Sequence, residues 1–204
     1  MRKIILLLWI FLLFPPITWA QEKVDAPAWN VGDKWFFTQG NIEVVGADKN
    51  SYTLTFSKAT CRAENKGLEK IMFDKLTLNR IYAIVDDKRE KYAYTQRRIL
   101  NFPFNPGKEW KDNCTSKTLV GPAKGVATDY SEAFKVLGWE HVKVQAGHFK
   151  TIKLEYIQNT IMGYYGKAIY WYAPEVKYFV KGQYDKVYWK EVDDWELASL
   201  KLQN

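Results

Sequence analysis

The stretch H-F-K-T-I-K-L-E-Y, residues 148–156, sets Ile152, Leu154 and Tyr156 in alternation with Thr151, Lys153 and Glu155. Successive side chains of a strand point to opposite faces, so a period of two marks a strand with one apolar row. The same grammar recurs on either side of it. K-W-F-F-T (34–38), I-E-V-V (42–45), S-Y-T-L-T-F-S (51–57), R-I-Y-A-I-V (80–85) and K-Y-A-Y-T (91–95) precede it, as do S-E-A-F-K-V-L (131–137) and H-V-K-V-Q (141–145). K-A-I-Y-W-Y (167–172) and K-V-Y-W-K (186–190) follow. Each run is short, rich in β-branched and aromatic residues, and bounded by Gly, Asn, Asp or Pro. An aromatic content of 16% suits pleated, half-buried surfaces. The expectation is a mainly β chain folded as an antiparallel meander, with little helix. Residues 101–107 and 115–128, rich in Pro, Gly and Thr, read as crossing connections within one sheet system.

Two hexapeptides share a frame: N-V-G-D-K-W at 30–35 and N-P-G-K-E-W at 105–110. Asn and Gly tolerate the positive φ that a tight turn requires, and the Trp falls a few residues into the next strand. The motif is therefore expected to be architectural, with Trp35 and Trp110 anchoring the core at two strand entries.

Met1, Arg2 and Lys3 open the chain with a basic start, followed by an apolar run over 4–14 and then Thr18-Trp19-Ala20. This is the layout of a signal peptide over residues 1–20, too short in its apolar part to span a membrane. Residues 21–204 then form one β-rich domain that is periplasmic or secreted. The net charge of +7 falls to +5 when Arg2 and Lys3 are removed. Such a balance favours anionic neighbours such as a membrane surface, but acids interleave with the bases, as in D-D-K-R-E-K (86–91). Export argues against nucleic acid. The only cysteines, Cys61 and Cys114, are expected to pair as a structural disulfide in an oxidising compartment.

No named chemistry emerges. The chain contains no G-x-S-x-G, no S-x-x-K and no C-x-x-C. With a hairpin loop at Ala146-Gly147, His141 and His148 would share a face four strand positions apart, roughly 13 Å, too far to hold one metal ion. Asp193, Asp194, Glu155 and Glu175 are the carboxylates weighed for glycoside chemistry, but adjacent Asp193 and Asp194 point to opposite faces of a strand. The expectation is a non-enzymatic protein without cofactor or metal.

The remaining signal is aromatic. Alternation puts Tyr170 and Tyr172 on one face of a strand and Ile169 with Trp171 on the other, so both faces need a cover: a segment of the chain, a ligand or a partner. We therefore take Ile169, Trp171 and Tyr156, with Lys153 and Lys167 at the rim, as the candidate ligand-binding residues.

The segment V-Q-A-G-H-F-K-T-I-K-L (144–154), followed by Y-W-Y-A-P-E-V-K (170–177) and E-L-A-S-L (196–200), resembles a family of exported bacterial proteins of unknown function. V-G-D-K-W and F-P-F-N-P-G-K-E-W resemble that family's opening and middle blocks, so the resemblance spans most of 29–202. Gln145 and His148 depart from its usual residues, proline and a small hydroxyl. The resemblance implies a curved antiparallel sheet or open half-barrel, similar to periplasmic lipoprotein carriers and sensors, and supplies no catalytic residues. The expected function is to bind a lipid, an amphiphile or an envelope protein in a concave aromatic-lined face. The rival readings are a carbohydrate-binding or glycan-cleaving protein and a structural subunit of a cell-surface assembly.

Overall fold

The structure, a computed structural model, describes residues 22–57, 68–85, 90–160, 165–187 and 193–203. Twelve strands follow one another: β1 (Lys34–Phe37), β2 (Gly40–Ala47), β3 (Ser51–Ser57), β4 (Leu68–Asp74), β5 (Arg80–Val85), β6 (Glu90–Arg97), β7 (Glu109–Thr118), β8 (Ala127–Val144), β9 (Gly147–Thr160), β10 (Tyr165–Ala173), β11 (Tyr178–Val187) and β12 (Trp195–Lys201). Among the described residues, a 3-10 turn, Pro174–Val176, lies between β10 and β11. Every strand pairs antiparallel with its neighbours in sequence, and β1 also pairs with β12 through Lys34↔Lys201, Trp35↔Leu200 and Phe36↔Ser199. The meander is as expected, but the open half-barrel is not: the sheet closes into a twelve-stranded barrel. Closure removes the two exposed sheet edges that a half-barrel would leave as templates for pairing with other chains. Residues 101–107 and 115–128 do not cross the sheet either. The first joins sequential neighbours β6 and β7, and Thr115 to Thr118 belong to β7 itself.

Odd-numbered strands all start at the same end of the barrel, and that end is plugged by two irregular segments. Val24 and Phe104 exchange backbone hydrogen bonds of 2.8 Å, which ties the chain before β1 to the segment before β7. Trp29 wedges edge-on against Trp35, Tyr52 and Phe73, and its indole N–H donates to the Lys177 carbonyl at 3.0 Å. Phe104 is fully buried between Phe102, Trp110 and Tyr172.

Both Asn-x-Gly-x-x-Trp motifs are turns that deliver a tryptophan into this end. Gly32 has φ +93° and Gly107 φ +83°, and Asn30 and Asn105 each accept a backbone bond from the residue three positions on. The Trp35 indole then donates to Val176 at 2.8 Å and that of Trp110 to Arg98 at 3.1 Å. Asp33, fully buried, adds a clasp: its carboxylate accepts from the Asn30 and Gln203 backbone N–H groups, so the first turn also fastens the C-terminal segment.

Between β11 and β12 the pairing shrinks to Lys181↔Glu196 and Gly182↔Trp195. Here the indole of Trp195 lies over Gly182, where an added Cβ would meet ring atoms at 2.5 Å. We expect Gly182→Ala to lower stability by about 1–3 kcal/mol through overpacking, read from urea melts.

The β8–β9 hairpin is longer than its neighbours and turns at Gln145 and Ala146, with Val144 opposite Gly147, one residue earlier than the Ala146-Gly147 loop expected from sequence. A bulge between Val136 and Gly138 bends it, and the Ala146 N–H donates to the Leu197 carbonyl at 3.0 Å. The hairpin thus folds back over the barrel and buries Val142 and Val144.

Candidate binding site inside the barrel

Two kinds of wall adjoin in the interior, both carried in part by β7 and β8. On one, rings touch from strand to strand: Phe104 to Trp110 at 5.9 Å, Trp110 to Phe134 at 4.8 Å, Phe134 to Tyr156 at 4.9 Å, Tyr156 to Tyr170 at 5.9 Å and Tyr170 to Trp195 at 6.2 Å. Offset and tilted contacts of this kind add to the stabilisation from burial alone.

The other wall is polar. Asp112, Cys114 and Ser116 of β7 share a face with Glu132, Tyr130 and Tyr94 of the adjoining strands, as their register pairs require. At the centre stands Glu132, its side chain 0% exposed. Its carboxylate accepts from Arg97 Nη2 at 2.7 Å and Nε at 3.2 Å, from the Tyr156 hydroxyl at 2.7 Å and from Gln158 Nε2 at 3.3 Å. The Arg97 guanidinium lies over the Tyr130 and Tyr94 rings, 5.2 and 5.6 Å from their centroids.

Burial works against both charges of the pair, yet their mutual attraction and hydrogen bonds prevail: the Glu132 carboxyl is held below the usual glutamate range and Arg97 well above its ordinary value. Burial first, and then the Glu132 charge, raise the Tyr156 hydroxyl well above its usual range, so it stays a neutral donor.

Asp112, Cys114 and Glu132 bring one ligand atom each within 4.8 Å of one another. They do not suit a metal ion. Both oxygens of Glu132 are engaged by donors, Asp112 accepts from the Arg98 backbone N–H at 2.8 Å, and burial pushes the Cys114 thiol up to about 11. A metal would have to displace that thiol proton and compete with the donors already held by both carboxylates. The same facts disfavour Cys114 as a nucleophile and Asp112 with Glu132 as a glycosidase pair, since Glu132 offers no free oxygen to a sugar.

Cys114 forms no disulfide among the described residues, and Cys61 lies outside them. We expect Cys114 to resist iodoacetamide at pH 7 in the folded protein and to react in denaturant without reductant. Failure to react in denaturant would mean that the thiol is paired after all.

The structure divides the residues picked out from sequence. Tyr156 faces inward, as do Ile152 and Leu154, opposite Ala168, Tyr172 and Tyr170. Ile169 and Trp171 alternate with those positions and lie on the outer face, so the two rows do not form one wall. Trp171 is nonetheless only 5% exposed. Lys153 and Lys181 lie against its ring, each 5.1 Å from the centroid, and its N–H donates to Glu140 of the folded-back hairpin at 3.3 Å. The cover over this aromatic face is therefore the chain itself. Both rim lysines have acid partners: Lys153 with Glu140 at 3.1 Å and Lys167 with Glu155 at 3.0 Å. An open depression of about 400 Å³ nearby on β7–β9 is ringed by alternating charges, including Lys135 paired with Glu109 at 2.7 Å.

His141 and His148 are exposed and, with Lys143 opposite His148, two strand positions apart rather than four. Asp194 accepts from the Tyr184 backbone N–H at 2.9 Å, and Glu175 sits in the 3-10 turn. Nothing gathers them with Glu155. Arg97, Glu132 and Asp112 were not picked out from sequence, because a polar inner face leaves no apolar alternation to read.

No family model matches the chain, and no curated protein matches it. Two solved structures resemble it. A candidate exported protein of Bacteroides fragilis with a YmcC-like fold superposes with a TM-score of 0.54 at 16% identity, over 88% of this chain and 100% of its own. A candidate lipoprotein of Parabacteroides distasonis gives a TM-score of 0.43 at 11% identity, over 89% and 100%. The first likeness identifies the fold.

Proposed function

We propose that the protein is an exported, non-enzymatic barrel that takes an amphiphile into its interior. The observation that carries this reading is a set of partly exposed rings on the inner wall. Tyr94, Tyr130, Tyr156, Tyr170 and Tyr184 belong to the inner wall of a closed barrel and are still only half-buried. Eight strands enclose about as much room as side chains fill, and barrel diameter grows with strand number, so twelve leave space for a ligand. Ring faces backed by a few fixed polar groups are the usual lining of a small-molecule site. Export is supported by the basic start and apolar run of the leader and by the candidate exported protein of Bacteroides fragilis that shares the fold. A non-catalytic role is supported by the neutral thiol of Cys114 and the saturated carboxylate of Glu132.

Titration with dodecyl-chain amphiphiles below their micelle concentrations tests the proposal. Trp110 and Trp195, both on the inner wall, should report a saturable change in emission, and the melting temperature should rise with ligand concentration. If no dodecyl amphiphile of any charge does either, the carrier reading fails and a structural role takes its place.

A further inference from the structure

A second guanidinium faces the interior. Arg80, the first residue of β5, has Phe73 and Arg97 as register partners, so it shares their inward face. Its charge reaches the interior groups: it helps lower the Glu132 carboxyl. Two arginines thus lie side by side beneath the plugged end, but their circumstances differ. Arg97 is matched by Glu132. Among the described residues Arg80 has no hydrogen-bonded or ion-paired partner: its Nε is enclosed and unsatisfied, and its contact is the Phe73 ring, 5.8 Å from centroid to guanidinium. The nearby carboxylates are already engaged, Glu132 by Arg97 and Asp112 by the Arg98 N–H. Arg80 is half-buried with its Nε enclosed and lacking an acceptor, which an anion would supply, and the planar fork of arginine suits carboxylate and phosphate oxygens.

Building on the proposed amphiphile carrier, we infer that the ligand carries one anionic group, a carboxylate or a phosphate monoester, received by Arg80. Its apolar body lies along the ring ladder from Phe134 through Tyr156 to Tyr170. Arg97 and Glu132 hold the wall beside it and keep their own pairing.

The experiment compares dodecanoate, dodecyl phosphate, dodecanol and dodecylammonium by tryptophan emission, in the parent, Arg80→Gln, Arg80→Lys and the outer-face control Lys111→Ala. The anions should bind at least about tenfold more tightly than dodecanol, a gap of about 1.4 kcal/mol, and the tighter of the two anions identifies the head group. Arg80→Gln should bring both anions to the dodecanol level, Arg80→Lys should fall between, and Lys111→Ala should match the parent. Because Arg80→Gln removes an unmatched charge, it should melt at or above the parent without ligand. A variant that unfolds or melts well below the parent would show that Arg80 already has a partner, and the inference falls. It falls alone if all four compounds bind alike or if Arg80→Gln keeps the anion preference. If none of the four binds, the carrier reading falls with it.

Discussion

Glu132→Gln lowers the stability of the barrel by about 3–5 kcal/mol, because it leaves the Arg97 charge in the wall without its counter-charge. Urea melts at neutral pH give the number. Replacing both partners with apolar residues of similar size, Arg97→Met with Glu132→Leu, should recover most of the loss, since a buried pair contributes little net stability while one half of it alone is costly. Acid should mimic the single variant. The folded-state value of the Glu132 carboxyl is depressed, so the stability it contributes is fully present above the ordinary glutamate value of 4.5 and is lost as pH falls through the folded value. Arg97 stays charged throughout that window. The parent should therefore lose stability more steeply than the Met/Leu double variant below about pH 4.5. Equal slopes would show that the pair does not govern the acid limb.

Trp35→Ala has an effect of similar size by another route. The indole is completely buried, touches Trp29 and Tyr178, and donates to the Val176 carbonyl. Truncation leaves a cavity and an unsatisfied carbonyl, with an expected cost of about 3–5 kcal/mol. Its plugging position separates structure from binding. A Trp35→Ala protein that melts like the parent yet binds no amphiphile would make the Asn-x-Gly-x-x-Trp turn part of a ligand site, contrary to the architectural role assigned to it.

The strands with one apolar row could be read from sequence because their inner face is apolar: Ile152, Leu154 and Tyr156 of β9 face inward. β7 could not, because past Trp110 its inner face is polar. Its inner residues, Asp112, Cys114, Ser116 and Thr118, are polar or small, so E-W-K-D-N-C-T-S-K-T carries no periodicity to recognise. β8 appeared as two short runs because the bulge before Gly138 interrupts its alternation. Closure was invisible for a different reason: it rests on pairing Trp35 with Leu200, residues at opposite ends of the chain, and no local pattern encodes that choice. Among the candidate ligand residues, Tyr156 lies inside and Ile169, Trp171, Lys153 and Lys167 outside. Alternation separates the two faces of a strand, but it does not tell which of two apolar faces is inner.

The β1–β12 seam has a consequence for how the molecule is made. Pairing elsewhere in the ring joins sequence neighbours, so most of the sheet can zip in order as a chain of hairpins. The seam cannot form until Trp195–Lys201 has emerged, and until then β1 has an uncovered edge. Long-range closure of this kind is entropically late, which makes the nearly finished sheet the vulnerable species during export.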